Sequence, residues 1–291
     1  LPDQYSKRQE LDRILIRSFT RQLTPWRVND YKYGVMTLYW AVVFTLLGMA
    51  LGSFFNVLVD RLPAGKSIIR PASHCPACGV KLRVPDLVPI VSYLALKGRC
   101  RYCQAPIPRR MLMVELAVGA MFLFLYLHYG LSPELGVALF YFSLLFLIFI
   151  IDLEHQLILN VMIYPAALAV LVINLLPTDI GITPGFLNGL AGAGAGLLLF
   201  VLIVIASRGG MGLGDVKMAG LMGLMLGFPG VFVGIFLAVI SGGLVAGVIL
   251  ALKRKGRREP IPFGPFLSLG TMAAILWGQP IMDWYLGFFG F

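Results

Sequence analysis

Four cysteines and two aspartates hold most of the chemistry that this sequence offers. The cysteines form two C-x2-C pairs, Cys75 with Cys78 and Cys100 with Cys103, separated by 21 residues. Two residues between thiolates let one tight turn present both sulfurs to a single ion, and the distance between the pairs suits a four-cysteine zinc site. Gly79, directly after the second cysteine, supplies the backbone freedom that such a knuckle needs. Two disulfides or a redox pair are the competing readings. No thioredoxin-like βαβ pattern surrounds either pair, and the topology argued below puts both on the reducing side of a membrane. Four thiolates close the coordination shell, so His74 is a neighbour, and no H-E-x-x-H occurs anywhere. The metal is therefore expected to be structural, stapling a segment of about 50 residues that is too small to bury a sufficient core.

The aspartates stand at the edges of apolar runs. Asp152 ends one, in Ile150-Ile151-Asp152-Leu153-Glu154, and Asp215 opens another, in Gly212-Leu213-Gly214-Asp215-Val216-Lys217. Ionisable groups against membrane spans are costly and are functional candidates by default. Two acids at one depth can meet between packed helices, and Gly212 and Gly214 let the backbone beside Asp215 approach a substrate strand. At about 4 Å and an effective dielectric near 20, two carboxylates repel by about 4 kcal/mol. One then keeps a proton while the other activates water, as hydrolysis of a peptide bond requires. Helix capping is the alternative. Asp215 suits a helix N-terminus, whereas Asp152 follows its span and faces the negative end of the dipole. Position alone leaves both readings open.

The elements that carry these residues follow from composition. Of 291 residues, 58% are hydrophobic and 13% charged, and the mean hydropathy is +0.85. Disordered chains are polar and charge-rich, which excludes disorder. The 24 basic and 14 acidic residues are too few to coat a soluble body of this length. The expected fold class is an all-α polytopic membrane protein. Charge-free apolar stretches cover residues 35–59, 116–133, 135–151, 157–178, 180–207, 218–252 and 260–282. At roughly 20 residues per crossing, the stretch 218–252 is too long for one span. Gly227-Phe228-Pro229-Gly230 divides it, and its first half starts near Gly212. Eight spans result.

The net charge of +10 does not mark a nucleic-acid binder, because its distribution follows the membrane. Residues 60–112 carry ten Lys/Arg against Asp60 and Asp86, and a second basic cluster occupies 253–258. The connections near Glu134, Asp179 and Pro229 carry none. Counting crossings puts both basic segments on one side, which the positive-inside rule makes cytoplasmic. The expected organisation is an N-terminal segment 1–33, a first transmembrane helix 34–59, a cytoplasmic four-cysteine domain 60–112, and a seven-helix membrane domain 113–291. The first segment reads as an amphipathic helix on the membrane surface near residues 11–23, and it lacks the apolar core of a cleavable signal.

These motifs, in this order, resemble the bacterial type IV prepilin peptidases, membrane aspartic proteases of the GxGD class. The resemblance runs from about Gly48 to the C-terminus. It rests on Gly52-Ser53-Phe54-Phe55-Asn56-Val57, Arg61-Leu62-Pro63, both cysteine pairs, Gly98-Arg99 and Glu115. It continues in Gly212-Leu213-Gly214-Asp215-Val216-Lys217 and Ile261-Pro262-Phe263-Gly264-Pro265-Phe266. Where the family often has Pro-Asp or Pro-Asn shortly after its first catalytic aspartate, this chain has Leu159-Asn160.

The resemblance implies removal of the basic leader from prepilins and type II secretion pseudopilins at the cytoplasmic face of the bacterial inner membrane. Asp152 and Asp215 are then the catalytic pair. It further implies N-methylation of the new N-terminus with S-adenosylmethionine, with Gly98, Arg99 and Glu115 in the associated region, although no glycine-rich cofactor loop is visible. A transporter or channel using Asp152 and Asp215 as ion or proton sites is the rival reading. No internal repeat supports it, and a four-cysteine domain is not expected of a simple transporter. A non-catalytic assembly factor for secretion machinery is the third reading. Lys217 reads as a snorkelling side chain, and His128, Trp277, Trp284 and Tyr285 as interface anchors.

Overall fold

The computed structural model describes residues 31–176, 181–207, 210–252 and 262–288. The amphipathic segment expected near residues 11–23 and the basic cluster 253–258 lie outside the described residues. The chain packs as two units, one ending at Val43 and the other Phe44–Phe291. The described part of the first is the beginning of α1 (Tyr31–Arg61), where Tyr39 and Trp40 meet edge-on at 5.3 Å.

The second unit begins within α1. A 3₁₀ turn at Val84–Asp86 and the short α2 (Val91–Ala95) follow. Then come α3 (Arg109–Tyr129), α4 (Pro133–His155), α5 (Asn160–Asn174), α6 (Phe186–Ala206), α7 (Leu213–Leu226), α8 (Gly230–Ala251) and α9 (Gly264–Phe288). The described residues form no strand, only two isolated bridges, His74 with Lys81 and Arg99 with Pro106.

Helices stand in the order of the eight expected spans. Five of them, Gly34–Arg61, Arg109–Tyr129, Pro133–His155, Phe186–Ala206 and Gly230–Ile249, are long and apolar enough to cross a membrane. Two others are short, α5 because its helix does not fill the apolar run 157–178 and α7 because the Gly227 turn ends it where expected. At 15 and 14 residues, α5 and α7 rise about 23 and about 21 Å against roughly 30 Å of hydrocarbon. Irregular backbone at 157–159 and 210–212 precedes them. Such backbone is tolerated at membrane depth where it is buried or lines a cavity, and both segments line the cavity described below.

α4 begins where Ser132 accepts the Leu135 amide at 3.4 Å and Pro133 takes the first helical position. Its buried side chains include Ala138, Tyr141, Leu145, Ile148 and Asp152, at three- and four-residue spacing. Asp152 therefore continues the core-facing stripe. The helix ends at Gln156, left-handed with φ 54°, which donates its amide to the Asp152 carbonyl at 2.9 Å.

α7 is buried on nearly every side between Val216 and Met225, so it is the central helix of the bundle. It packs on α6 with no side chain between the backbones. A Cβ on Gly192 would lie 2.5 Å from the Gly223 carbonyl oxygen, and one on Gly196 2.5 Å from that of Ala219. Nearby, the buried Asn174 side chain donates to the Leu224 carbonyl at 2.8 Å. The turn expected at 227–230 divides α7 from α8: Gly227 adopts φ 68°, and the Phe228 amide donates to Asn188 Oδ1 at 2.9 Å.

Candidate active site

Asp152 and Asp215 line one cavity of about 460 Å³. Asp152 is buried and Asp215 half-buried, and the charge of the first acts directly on the second. The elements account for the meeting: Asp152 closes the core-facing stripe of α4, and Asp215 occupies the first turn of the central α7. The remaining lining comes from Gln156, Leu157 and Ile158 after α4, Gly210, Met211, Gly212 and Gly214 around the start of α7, and Pro262 and Phe263 before α9. The cavity is thus rimmed by irregular backbone from three places in the chain.

Gly264, the first residue of α9, turns its backbone amide toward Asp152. A Cβ there would lie 2.5 Å from the Asp152 Oδ2 atom. The Gly212 amide stands in the same relation to Asp215, and Gly212 has only that carboxylate and the Gly214 amide near its absent Cβ. Gly214 differs, since a Cβ on it would meet the Ile158 side chain at 3.0 Å. Gly212 is therefore open to the cavity, whereas Gly214 permits close packing. Lys217 is tied rather than free: its Nζ donates to Asn160 Oδ1 at 2.7 Å and lies 5.8 Å from the centre of the Tyr164 ring. The Asn160 of Leu159-Asn160 thereby joins the start of α5 to that of α7.

The four cysteines come together with all sulfurs within 4.8 Å of one another. Cys75 Sγ and Cys103 Sγ are 3.8 Å apart. Tetrahedral thiolate ligation with metal–sulfur bonds of about 2.3 Å needs sulfurs about 3.8 Å apart, so the donor set fits a closed metal shell. Each pair is held by the same backbone pattern. Cys75 donates to the Val80 carbonyl and accepts from the Gly79 amide, while Cys100 donates to Ala105 and accepts from Gln104. Gly79 takes φ 70°, as its position required, and its counterpart Gln104 takes φ 60° despite carrying a side chain. Amides of Cys78 and Ala77 aimed at the Cys75 sulfur bring that thiol down to about 6. The Arg101 guanidinium, 2.6 Å from Asp86, ties the 3₁₀ turn to the second knuckle. With the Arg83 amide and Tyr102, it holds the Asp86 carboxyl below its usual range.

Gly98, Arg99 and Glu115 have separate structural tasks. Gly98, at φ 67°, packs against Tyr93, whose Oη would lie 2.9 Å from a Cβ there. Arg99 pairs with Pro106 in the second knuckle, and its side chain is exposed. Glu115 is buried on α3, where Oε2 accepts the Ile90 amide at 2.7 Å. That amide begins α2, and Ile90 itself has φ 62°. None of the three lines the cavity of Asp152 and Asp215.

Sequence reasoning missed Gly264 as the neighbour of Asp152. Its motif was visible, but 112 positions separate the two residues, and only the packing of α9 on α4 brings them together. It also missed Arg110, which joins Asp60 and Glu154. Opposite charges at three helix ends were the available signal.

Residues 46–129 match the Bacterial Peptidase A24 N-terminal domain, and residues 139–247 match the Type IV leader peptidase family. The chain is 32% identical over 274 residues to a prepilin leader peptidase/N-methyltransferase of Pseudomonas aeruginosa, covering 84% of this chain and 93% of that protein. It is 32% identical over 244 residues to the protein of that name in Bacillus subtilis, covering 83% and 96%. The corresponding Stutzerimonas stutzeri protein is 30% identical over 271 residues, covering 84% and 92%. No solved structure matches the chain significantly.

Proposed function

We infer that this chain, which belongs to the type IV leader peptidase family, is a membrane aspartic endopeptidase that removes the basic leader of prepilins and pseudopilins. The observation that carries the assignment of residues is the meeting of Asp152 and Asp215 in one cavity. Two carboxylates facing each other hold one proton between them. The ionised partner takes a proton from water as its oxygen attacks the scissile carbonyl carbon. The protonated partner gives its proton to the carbonyl oxygen. Return of a proton to the amide nitrogen then lets the C–N bond break, releasing leader acid and pilin amine. The open backbone at Gly212 gives an extended substrate room beside Asp215.

The knuckles hold zinc as a structural staple, and the 60–112 domain faces the cytoplasm of the inner membrane. That places the dyad where a basic leader passes into an apolar helix. The relatives' names include N-methylation, so the new N-terminal amine is the second substrate, with S-adenosylmethionine as methyl donor. The 1–33, 34–59, 60–112 and 113–291 divisions stand as the working organisation of the chain. A transporter function is not favoured, since no relative reported above is one.

Purified protein incubated with a prepilin-like peptide embedded in vesicles is expected to release the leader. Peptides lacking the apolar segment are expected to be cut far more slowly. Absence of leader release from the embedded peptide overturns the reading. A second expectation concerns Gly264. In Gly264→Ala the new methyl group displaces the Asp152 carboxylate, and a shift of about 1 Å costs on the order of 100-fold in turnover. Leader release by this variant at equal zinc content and helicity measures it, and wild-type turnover contradicts the close fit.

A further inference from the structure

We propose that Arg110 and Glu154 are positioning residues that set the rotation of the α4 end and hence the direction of Asp152; the inference rests on the hydrolytic reading of Asp152. Arg110 opens α3 and reaches two carboxylates from other helices. One guanidinium nitrogen lies 2.6 Å from Asp60 near the end of α1, and the other lies 2.5 Å from Glu154 near the end of α4. Three helix ends are thereby clamped at one point. The two carboxylates take the two terminal nitrogens, a geometry that a planar guanidinium fork provides and an ammonium does not. A parallel tie joins α1 to α3 just inside it, where the buried Asn56 side chain donates to the Met111 carbonyl at 3.1 Å.

The clamp matters because the last turn of a helix is its least constrained part: its carbonyls lack intrahelical donors, and it frays. Asp152 stands in that turn of α4, closed from below by the Gln156 amide. Two residues along an α-helix is a rotation of about 200°. Asp152 and Glu154 therefore point to nearly opposite sides of α4, the first toward α9 and the cavity, the second toward Arg110. Holding Glu154 fixes the turn about its axis, so the Asp152 carboxylate meets Gly264 and Asp215 with little freedom to swing. Releasing it leaves the carboxylate present but imprecisely aimed.

Leader release by Glu154→Gln, Arg110→Ala and Arg110→Lys, assayed with a vesicle-embedded prepilin-like peptide, tests the device. Glu154→Gln and Arg110→Ala should lower kcat about 10- to 100-fold with KM nearly unchanged, as misaligned catalytic groups do. Arg110→Lys should fall between them and wild type. The charge swap Arg110→Glu with Glu154→Arg should recover more than half of the turnover lost in Arg110→Glu alone. Zinc content and melting temperature report folding, and turnover is counted per folded molecule. Glu154→Gln within twofold of wild-type kcat, or a swap with no recovery, overturns the positioning role. If Asp152→Asn retains turnover, the hydrolytic reading fails instead.

Discussion

Asp152→Asn and Asp215→Asn each lower leader release by about a thousandfold or more, and the double variant is little worse than either single one. Asparagine keeps nearly the volume and the hydrogen-bonding reach of aspartate but cannot exchange the proton that moves between the two carboxyls. General acid–base steps of this kind contribute about 10² to 10⁴ in rate. Residues that act as one unit lose their joint effect once, so the two losses do not add. The bundle itself should remain intact: among the described residues Asp152 makes no ion pair, and the core beneath it is made by Tyr141, Leu145 and Ile148. The decisive measurement is leader release from an embedded prepilin by each purified variant, with helicity and zinc content as controls. Near-normal turnover in either variant removes that residue from the chemistry. Methylation of an already cleaved pilin should survive both changes, since neither carboxylate acts on the free amine.

The second large effect belongs to the knuckles. Cys75→Ser, or removal of zinc by a chelator, should unfold residues 62–108 while leaving the membrane helices formed. Structural zinc in small peptides contributes roughly 10 to 16 kcal/mol of apparent binding free energy, which a small domain spends on folding. The segment has little else: Cys75 and Cys100 are the buried apolar residues among 62–108, and neighbours such as Ile69, Val84 and Leu94 are exposed. Proteolysis between Arg61 and Arg109 and metal analysis together measure the outcome. An ordered, protease-resistant segment in zinc-free protein contradicts the four-thiolate staple. The pH dependence has a definite sign. The Cys75 thiol sits at about 6 rather than its ordinary value, so one ligand is already a thiolate at neutral pH. Zinc uptake by stripped protein should strengthen as pH rises and weaken as it falls, because all four sulfurs must lose their protons to bind.

Spans and knuckles were legible because they are local. An apolar run or a C-x2-C pair needs no partner to be recognised, and the turn at Gly227 announced itself in four residues. Asp152 and Asp215 were legible as costly acids at span ends, and their meeting was expected. The site's remaining geometry was not legible. Gly264 beside Asp152 and Arg110 between Asp60 and Glu154 are contacts between distant helices, set by packing that no single segment encodes. Glu115 shows the same limit: its motif was visible, but the Ile90 amide that its carboxylate accepts lies 25 positions away on another element. The short helix α5 was overestimated for a related reason, whereas α7 begins within one residue of the expected Gly212. Hydropathy registers burial, and residues 157–159 are apolar without being helical.

The seam between α6 and α7, where Gly192 and Gly196 meet Gly223 and Ala219 without intervening side chains, divides the protein's freedom to diverge. A side chain at Gly192, Gly196 or Gly223 would push on the facing backbone, and for α7 that push runs along the helix toward Asp215. The rim has no such restriction. Leu157 sits exposed on an irregular segment at the edge of the cavity, where a new side chain alters what enters without pushing on the packed core. Changes in what the site accepts are therefore cheapest at its edge, and a change along the seam reaches the chemistry before it reaches the substrate.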